Sequence, residues 1–370
     1  MSEETIHCSG CGIAIQTEEP EKLGFAPKSA LSRDVIVCKR CYRLKHYNEV
    51  QDVEMSDDDF LKLFQSLHHK EALIVKVVDI FDFNGSWISG VHRFVGNNQV
   101  MLVANKVDLL PKSTNRNKLI NWIKKSASEW GLKPREVKLM SAKSGEGIGE
   151  VAEGIDRLRN GRDVYVVGCT NVGKSSFLNR IIKDFFGDAD TLITTSHFPG
   201  TTLDLIDVPL DDGRALIDTP GLINHHQMAH VTSSKSLRAI TPKKEIKPVV
   251  FQLKAEQTLF LGGLARLDFL KGNPASFIVH IANEVGIHRT KLEKADDLYE
   301  SHAGTLLQPP FSEEGEEVLH LKKHTFKIPA QKTDVVFSGL GWITISGDGS
   351  TVCAYAPEGV GVSMRPSITS

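Results

Sequence analysis

The segment Gly168-Cys-Thr-Asn-Val-Gly-Lys-Ser175 fits the pattern G-x-x-x-x-G-K-[ST], and it dictates what must surround it. Asp163-Val-Tyr-Val-Val167 before it reads as a strand, and Ser176-Phe-Leu-Asn-Arg-Ile-Ile182 after it reads as a helix. A strand, a glycine-rich loop and a helix in that order form a phosphate cradle. Backbone N–H groups and the positive end of the helix converge there on one anion. Lys174 is expected to reach the β- and γ-phosphates, and Ser175 to ligate Mg2+. Gly168, Asn171, Val172, Gly173 and Ser176 complete the expected nucleotide-binding set. An ordinary glycine-rich turn is the structural alternative.

The partners such a loop needs lie downstream. Asp218-Thr-Pro-Gly221 follows the apolar run Ala215-Leu-Ile217. The Asp218 carboxylate is expected to hold Mg2+, and the Gly221 amide to sense a γ-phosphate. Between the two motifs lies Pro199-Gly-Thr-Thr-Leu-Asp204. A threonine hydroxyl here would close on Mg2+, with Thr202 the first choice and Thr201 the second.

Two further motifs select the base. Asn105-Lys-Val-Asp108 ends the run Val100–Ala104. The Asp108 carboxylate would accept from guanine N1–H and the 2-amino group, a donor pair that adenine lacks. A buried carboxylate left unpaired makes the discrimination large. Asn105 is expected to brace the loop and Lys106 to pack over the ring. Ser141-Ala-Lys143 follows Val137–Met140, and the Ala142 amide is expected to donate to guanine O6. Together they favour GTP over ATP.

Strand-like runs at Ala72–Val78, Val100–Ala104, Val137–Met140, Val164–Val167, Leu203–Val208 and Ala215–Ile217 alternate with helix-like stretches. This predicts an α/β fold with a mainly parallel sheet buried between helical layers. Ser56-Asp-Asp-Asp59 reads as a helix start, with Phe60, Leu61, Phe64 and Leu67 at core spacing. Residues 230–247 are polar and basic and read as a linker or an exposed basic edge. Beyond 249, short β-like runs between Gly and Pro predict a second, β-rich domain. The expected organisation is a zinc module over 1–50, a GTPase domain over 51–228 and a β-rich α+β domain over 229–370.

The zinc expectation rests on cysteine spacing. Cys8 and Cys11 form one C-x-x-C, Cys38 and Cys41 another, with 26 residues between the pairs. Two such knuckles can converge four thiolates on one structural Zn2+, with Gly10 and Gly12 easing the turn around Cys11. Disulfides or free buried thiols are the alternatives. Around the second knuckle, Lys39, Arg40, Arg43 and Lys45 interleave with Tyr42 and Tyr47, a pattern suited to phosphate contact and base stacking. A solvated helix face is the plainer reading.

The composition, 41% hydrophobic and 24% charged with a net charge of −2, excludes a disordered chain, a collagen and a global polycation. Any nucleic-acid surface must be local. No apolar run approaches the length of a membrane span, and the opening Met1-Ser-Glu-Glu-Thr lacks signal-peptide character. A cytoplasmic, monomeric protein without a membrane partner is the expectation.

These motifs resemble those of the Ras-like, translation-factor-related GTPases, but N-K-x-D and S-A-K come before the phosphate loop instead of after it. That order is a circular permutation, which core contacts tolerate when the ends move to a surface connection. With four cysteines in front, a β-rich domain behind and the segment Val78-Asp-Ile-Phe-Asp-Phe-Asn-Gly-Ser86, the chain resembles the YqeH family of circularly permuted GTPases. The resemblance implies assembly of the small ribosomal subunit, rRNA as partner and an RNA-binding carboxy-terminal domain. It also implies that Asn171 can admit K+ beside the phosphates; the alternative is that Asn171 only holds the loop. Leu222 stands where many relatives carry the water-orienting Gln, so intrinsic hydrolysis is expected to be slow and partner-stimulated. His225 and His226 lie close by in sequence and are weaker candidates for that role. A tRNA-directed GTPase and a weakly catalytic GTP-binding scaffold are the competing readings.

Overall fold

A computed structural model describes residues 6–9, 13–20, 24–33, 35–47, 54–55, 57–186, 194–197, 204–311, 317–346 and 349–368. Tertiary contacts divide the chain into two units. One holds Met1–Ile80, Ser86–Val107 and Ile120–Ile223, the other Phe81–Gly85, Asp108–Leu119 and Asn224–Ser370.

The first unit contains α1 (Lys39–Tyr47), β1 (Glu54–Met55), α2 (Asp57–His68), β2 (Ala72–Asp79), α3 (Val91–Phe94) and β3 (Gln99–Asn105). Then come α4 (Arg116–Glu129), β4 (Glu136–Leu139), α5 (Ile148–Arg159), β5 (Asp163–Val167) and α6 (Lys174–Ile181). Strands β6 (Thr194–His197), β7 (Asp204–Pro209), β8 (Ala215–Asp218) and β9 (Gly221–Leu222) end the unit. The first four residues of α4 count with the second unit.

Seven strands form one sheet in the order β4-β3-β2-β5-β8-β7-β6. The five from β4 to β8 pair in parallel. Strand β2 is buried at all eight positions, as a strand covered on both faces requires. Helix α5 turns Ile148, Val151 and Ile155 inward at helical spacing. The sheet is mainly parallel, as expected, with an antiparallel edge where β7 runs against both β8 and β6. Only residues 210–214 join β7 to β8, with Gly213 at φ 75°, and so short a link permits only a hairpin. Leu63 and Leu67 on α2 are buried. Ser56 lies outside the described residues, as do the side chains of Phe60, Leu61 and Phe64.

The second unit is a β-sandwich. Its elements are α7 (Ser234–Ile240), β10 (Val249–Leu253), β11 (Gln257–Leu261), β12 (Ala265–Lys271), β13 (Ala275–Ile281), β14 (Ile287–Lys291) and α8 (Ala295–His302). Strands β15 (Leu321–Lys327), β16 (Thr333–Phe337), β17 (Gly341–Ser346), β18 (Thr351–Pro357) and β19 (Val362–Pro366) complete it. Two antiparallel sheets, β10-β13-β17-β16-β19 and β14-β11-β12-β18-β15, enclose a core that includes Leu267, Phe269, Phe277, Phe337 and Ile343. Residues 230–247 are not a plain linker: Met228, Ile240 and Ile246 around and within that stretch are buried, and α7 carries Ser233 as its N-cap.

Both outer sheet faces bury charge. Arg266 donates to Asp268 through Nε (2.6 Å) and Nη2 (2.9 Å), and lies over the rings of Phe260 and Tyr355. On the other sheet Asp334 is fully buried and accepts from Thr344 (2.7 Å) and Arg365 (3.3 Å). The segment Phe81–Gly85 packs here. Asn84 accepts from Arg365 at 2.9 Å, Asp82 accepts from Gln227 at 2.7 Å, and Phe81 meets Trp342.

Candidate functional site

The segments expected from the sequence to read a nucleotide leave the sheet at its carboxyl-terminal side, because parallel strands point their carboxyl ends the same way. Asp218 ends β8 in register with Val166 of β5, two residues before the loop Gly168–Ser175. Asn105 ends β3 in register with Asp79 of β2, and Leu139 of β4 pairs with Ala104. The phosphate loop opens into α6, with Gly173 as its N-cap at φ 88°. A side chain at Gly173 would collide with Asn105 Nδ2, so this position admits only glycine.

Two contacts join the N-K-x-D loop to the phosphate loop, and a third joins it to the S-A-K loop. Asn105 Nδ2 donates to the Val172 carbonyl at 2.8 Å. Asn105 Oδ1 accepts from the Ala142 amide at 3.0 Å, so that amide points at Asn105, where guanine O6 is the acceptor expected from the sequence. Lys106 Nζ donates to the Asn171 carbonyl and to Asp79 Oδ2, both at 2.7 Å. Lys106 and Asn171 both adopt left-handed backbone, at φ 66° and 60°. Asp108 follows in the 3-10 turn Val107–Leu109. Ser141 is buried and caps its loop by accepting from the Ser144 amide at 3.0 Å, while Lys143 is exposed.

Lys174 is buried and donates to the Cys169 carbonyl at 2.9 Å. Ser175 is buried beside it, and Ser176 faces outward. Asp218 is buried, and Thr219 fixes its strand by donating from Oγ1 to the Val166 carbonyl at 2.8 Å. Gly221 lies so near the loop that an added Cβ would come within 2.9 Å of Lys174 Nζ and of Thr170. Thr201 and Thr202 lie outside the described residues. His226 Nδ1 lies 3.1 Å from the Gly359 carbonyl and His225 packs against His230, so both histidines have partners within the second unit.

Two groups have no sequence-level signal. Lys76 is fully buried in β2, its ammonium 4.3 Å from the centre of the Trp87 ring, and burial pushes it down to about 8. Asp79 meets Lys106 across the strand ends. An apolar strand pattern hides the first. The segment Val78–Ser86 stands out in sequence but names no chemistry for the second.

In the amino-terminal module, the sulfurs of Cys8, Cys38 and Cys41 lie within 4.8 Å of one another, and all three cysteines are buried without a disulfide. The Cys38 amide donates to Cys8 Sγ at 3.2 Å. Cys38 immediately precedes α1 and Cys41 lies in its first turn, where the helix dipole favours thiolate. Cys11, Gly10 and Gly12 lie outside the described residues. Three converging thiols fit a soft tetrahedral ion such as Zn2+. Arg40 is buried, so it is not part of an outward basic face; Tyr42 is exposed.

A phosphate loop, a D-x-P-G strand end and an N-K-x-D strand end on one sheet, with the base-reading motifs first in the chain, define a P-loop GTPase domain of circularly permuted topology. Such a domain works on GTP and GDP with Mg2+. The family described as 50S ribosome-binding GTPase matches residues 163–263, and the family described as YqeH-like, C-terminal matches residues 274–368. "Uncharacterized protein YqeH" of Bacillus subtilis (strain 168) is 56% identical over 365 residues, spanning 99% of this chain and 100% of that protein. The chain belongs to the YqeH family. "NO-associated protein 1, chloroplastic/mitochondrial" of Arabidopsis thaliana is 32% identical over 429 residues, covering 98% of this chain and 76% of its own length. Among solved structures, GNP-bound YlqF from T. maritima covers 45% of this chain and 58% of its own, at 22% identity and a TM-score of 0.30. Among the described residues, no helix is long and apolar enough to cross a membrane.

Proposed function

We propose that this chain is a GTP-hydrolysing switch that binds ribosomal RNA and small-subunit precursors during 30S-type assembly. The observation that carries the reading is the meeting of phosphate-reading and base-reading loops through Asn105, which bonds both Val172 and Ala142. Asp108 reads guanine, Lys106 covers the ring, and Ser141, Ala142 and Lys143 close the far side. Gly168, Asn171, Val172, Gly173, Lys174, Ser175 and Ser176 hold the phosphates. Ser175, Thr202 and Asp218 would hold Mg2+, which would neutralise negative charge on the phosphates. Lys174 and the Gly221 amide stabilise charge on the γ-phosphate. Leu222 cannot orient water, so hydrolysis is slow until a ribosomal partner or K+ near Asn171 assists. Cys8, Cys11, Cys38 and Cys41 would hold a structural Zn2+ that sets the shape of residues 1–50. The working organisation is that module, a GTPase domain over 51–228 and an RNA-binding domain over 229–370, in a cytoplasmic monomer.

The matched family's description as 50S ribosome-binding supports ribosome association and favours a second reading, in which the particle is the large subunit. Gradient co-sedimentation with separated subunits separates the two. The test compares a non-hydrolysable GTP analogue, GDP and no nucleotide. Binding to the small subunit only with the GTP analogue is the expected result. Binding confined to the large subunit overturns the 30S assignment. Binding to neither, with GTP affinity intact, moves the reading to tRNA or a scaffold.

A further inference from the structure

We propose that Asp79 is a positioning residue for the guanine nucleotide, acting through Lys106. The inference rests on the reading of Asn105-Lys-Val-Asp108 as the guanine-binding loop. The Lys106 stem covers a purine only if its ammonium is held at the far end. Two acceptors hold it, the Asn171 carbonyl and the Asp79 carboxylate, each at 2.7 Å. Of the two, only Asp79 supplies charge, and charge-assisted hydrogen bonds are the stronger class. Both side chains are partly shielded, 29% exposed for Lys106 and 13% for Asp79, so water screens the pair incompletely.

Asp79 is itself fixed from both sides. Its amide donates to Ser86 Oγ at 3.0 Å, and Ser86 Oγ donates back to the Asp79 carbonyl at 3.3 Å. Ser86 is fully buried, so one hydroxyl closes the eight-residue segment Asp79–Ser86 at its base. The next amide, Ile80, donates to the Asn105 carbonyl at 3.0 Å and sets the end of β2 against the end of β3. The carboxylate therefore arrives at Lys106 on a strand end that cannot drift. The segment Val78–Ser86 thereby gains a chemical role. Its first acid orders the lysine of the base-reading loop, and its last serine orders that acid.

The purine-covering contact is blind to ring substituents, whereas Asp108 reads N1–H and the 2-amino group. Loss of Asp79 should weaken purine nucleotides uniformly and leave discrimination alone. The experiment measures fluorescent GDP, IDP and ADP binding to the full chain, alongside steady-state GTP hydrolysis. Asp79→Asn is expected to raise the dissociation constants for GDP and IDP by the same factor, about tenfold, the scale of one charge-assisted bond. KM should rise with kcat within about twofold, and Ser86→Ala should shift binding the same way by less. Lys106→Ala should lose a similar factor, and adding Asp79→Asn to it should cost nothing further. If Asp79→Asn does not fold, Asp79→Ser enters the same cycle. Unchanged GDP affinity in the Asp79 variant, or a selective loss of GDP over IDP, overturns the proposal while wild-type preference for GDP over ADP keeps the guanine site standing. Wild-type protein that binds ADP as tightly as GDP overturns the guanine reading itself.

Discussion

The amide of Thr170 donates to the carbonyl of Leu222 at 2.9 Å, and the Leu222 amide in turn donates to the Gly168 carbonyl at 3.2 Å. The residue after D-x-P-G is thus bound to the phosphate loop through its main chain, and its side chain has no polar atom to offer water. Leu222→Ala is therefore expected to leave single-turnover GTP hydrolysis within about threefold of wild type. Lys174→Ala, which removes the charge we propose for the phosphates, should lower it by about 100-fold or more. Rapid-quench measurement on both variants checks this; a large loss in Leu222→Ala would give the leucine a catalytic role.

Lys76 makes the first unit pH-sensitive on the alkaline side. Burial lowers its ammonium from 10.5 to about 8, so between those values the unfolded chain holds the extra proton. Stability must therefore rise as pH rises through about 8 to 10.5, and the penalty is complete below about 8. The shift corresponds to roughly 3 kcal/mol, offset by roughly 1–2 kcal/mol of cation–π attraction to Trp87. Lys76→Met is expected to stabilise the unit by about 1–2 kcal/mol at pH 7 and to flatten the rise. Denaturant midpoints at pH 7 and pH 10 decide it.

His280 makes the second unit sensitive on the acid side. It is buried against Trp342, stacked at 4.7 Å between centroids, and burial lowers it from 6.5 to about 4 despite the pull of Asp334. The native ring is neutral at pH 6, while the unfolded ring takes a proton, so stability falls as pH drops from about 6.5 to 4. His280→Phe should reduce that loss by about 2–3 kcal/mol. Tryptophan fluorescence during denaturant titration at pH 6.5 and 4.5 reads it.

For the amino-terminal module the expected outcome concerns metal content. Wild-type protein should carry about one Zn2+ per chain, and Cys38→Ser about none, because removing one of four thiolates breaks the tetrahedral set. Zinc released by a thiol oxidant and quantified with a chromophoric chelator gives the count. Equal zinc in both proteins would contradict the ligand assignment.

Much of the GTPase unit is legible in the sequence because its strands are nearly unbroken apolar runs. Ala72–Asp79 and Gln99–Asn105 extend the expected runs by only a residue or two. The N-K-x-D and S-A-K motifs follow strand ends, the position the sequence assigns to them. Failures have a common cause: polar residues that are buried, and charged strands that are edges. Ala265–Lys271 contains Arg266 and Asp268, charges that break an apolar strand pattern in sequence but satisfy each other in the buried strand. Ile287–Lys291 and Leu321–Lys327 are the outer strands of one sheet, where lysines guard an open edge. Arg40 reads as a phosphate contact but is buried in the first turn of α1. The bond from Ala142 to Asn105 is invisible in the sequence, since no spacing rule states which acceptor an amide faces.

One short ladder has a reach beyond its two residue pairs. Glu54 and Met55 run parallel to Gly221 and Leu222, so the chain arriving from the amino-terminal cysteines is stitched to the strand that follows Asp218. Gly221 can advance toward a phosphate only by carrying Glu54 along or by parting from it. Small travel is transmitted, and large travel unzips the seam. In the proposed GTPase cycle, any shift of Gly221 with nucleotide state would therefore be felt first at the backbone of residues 54–55.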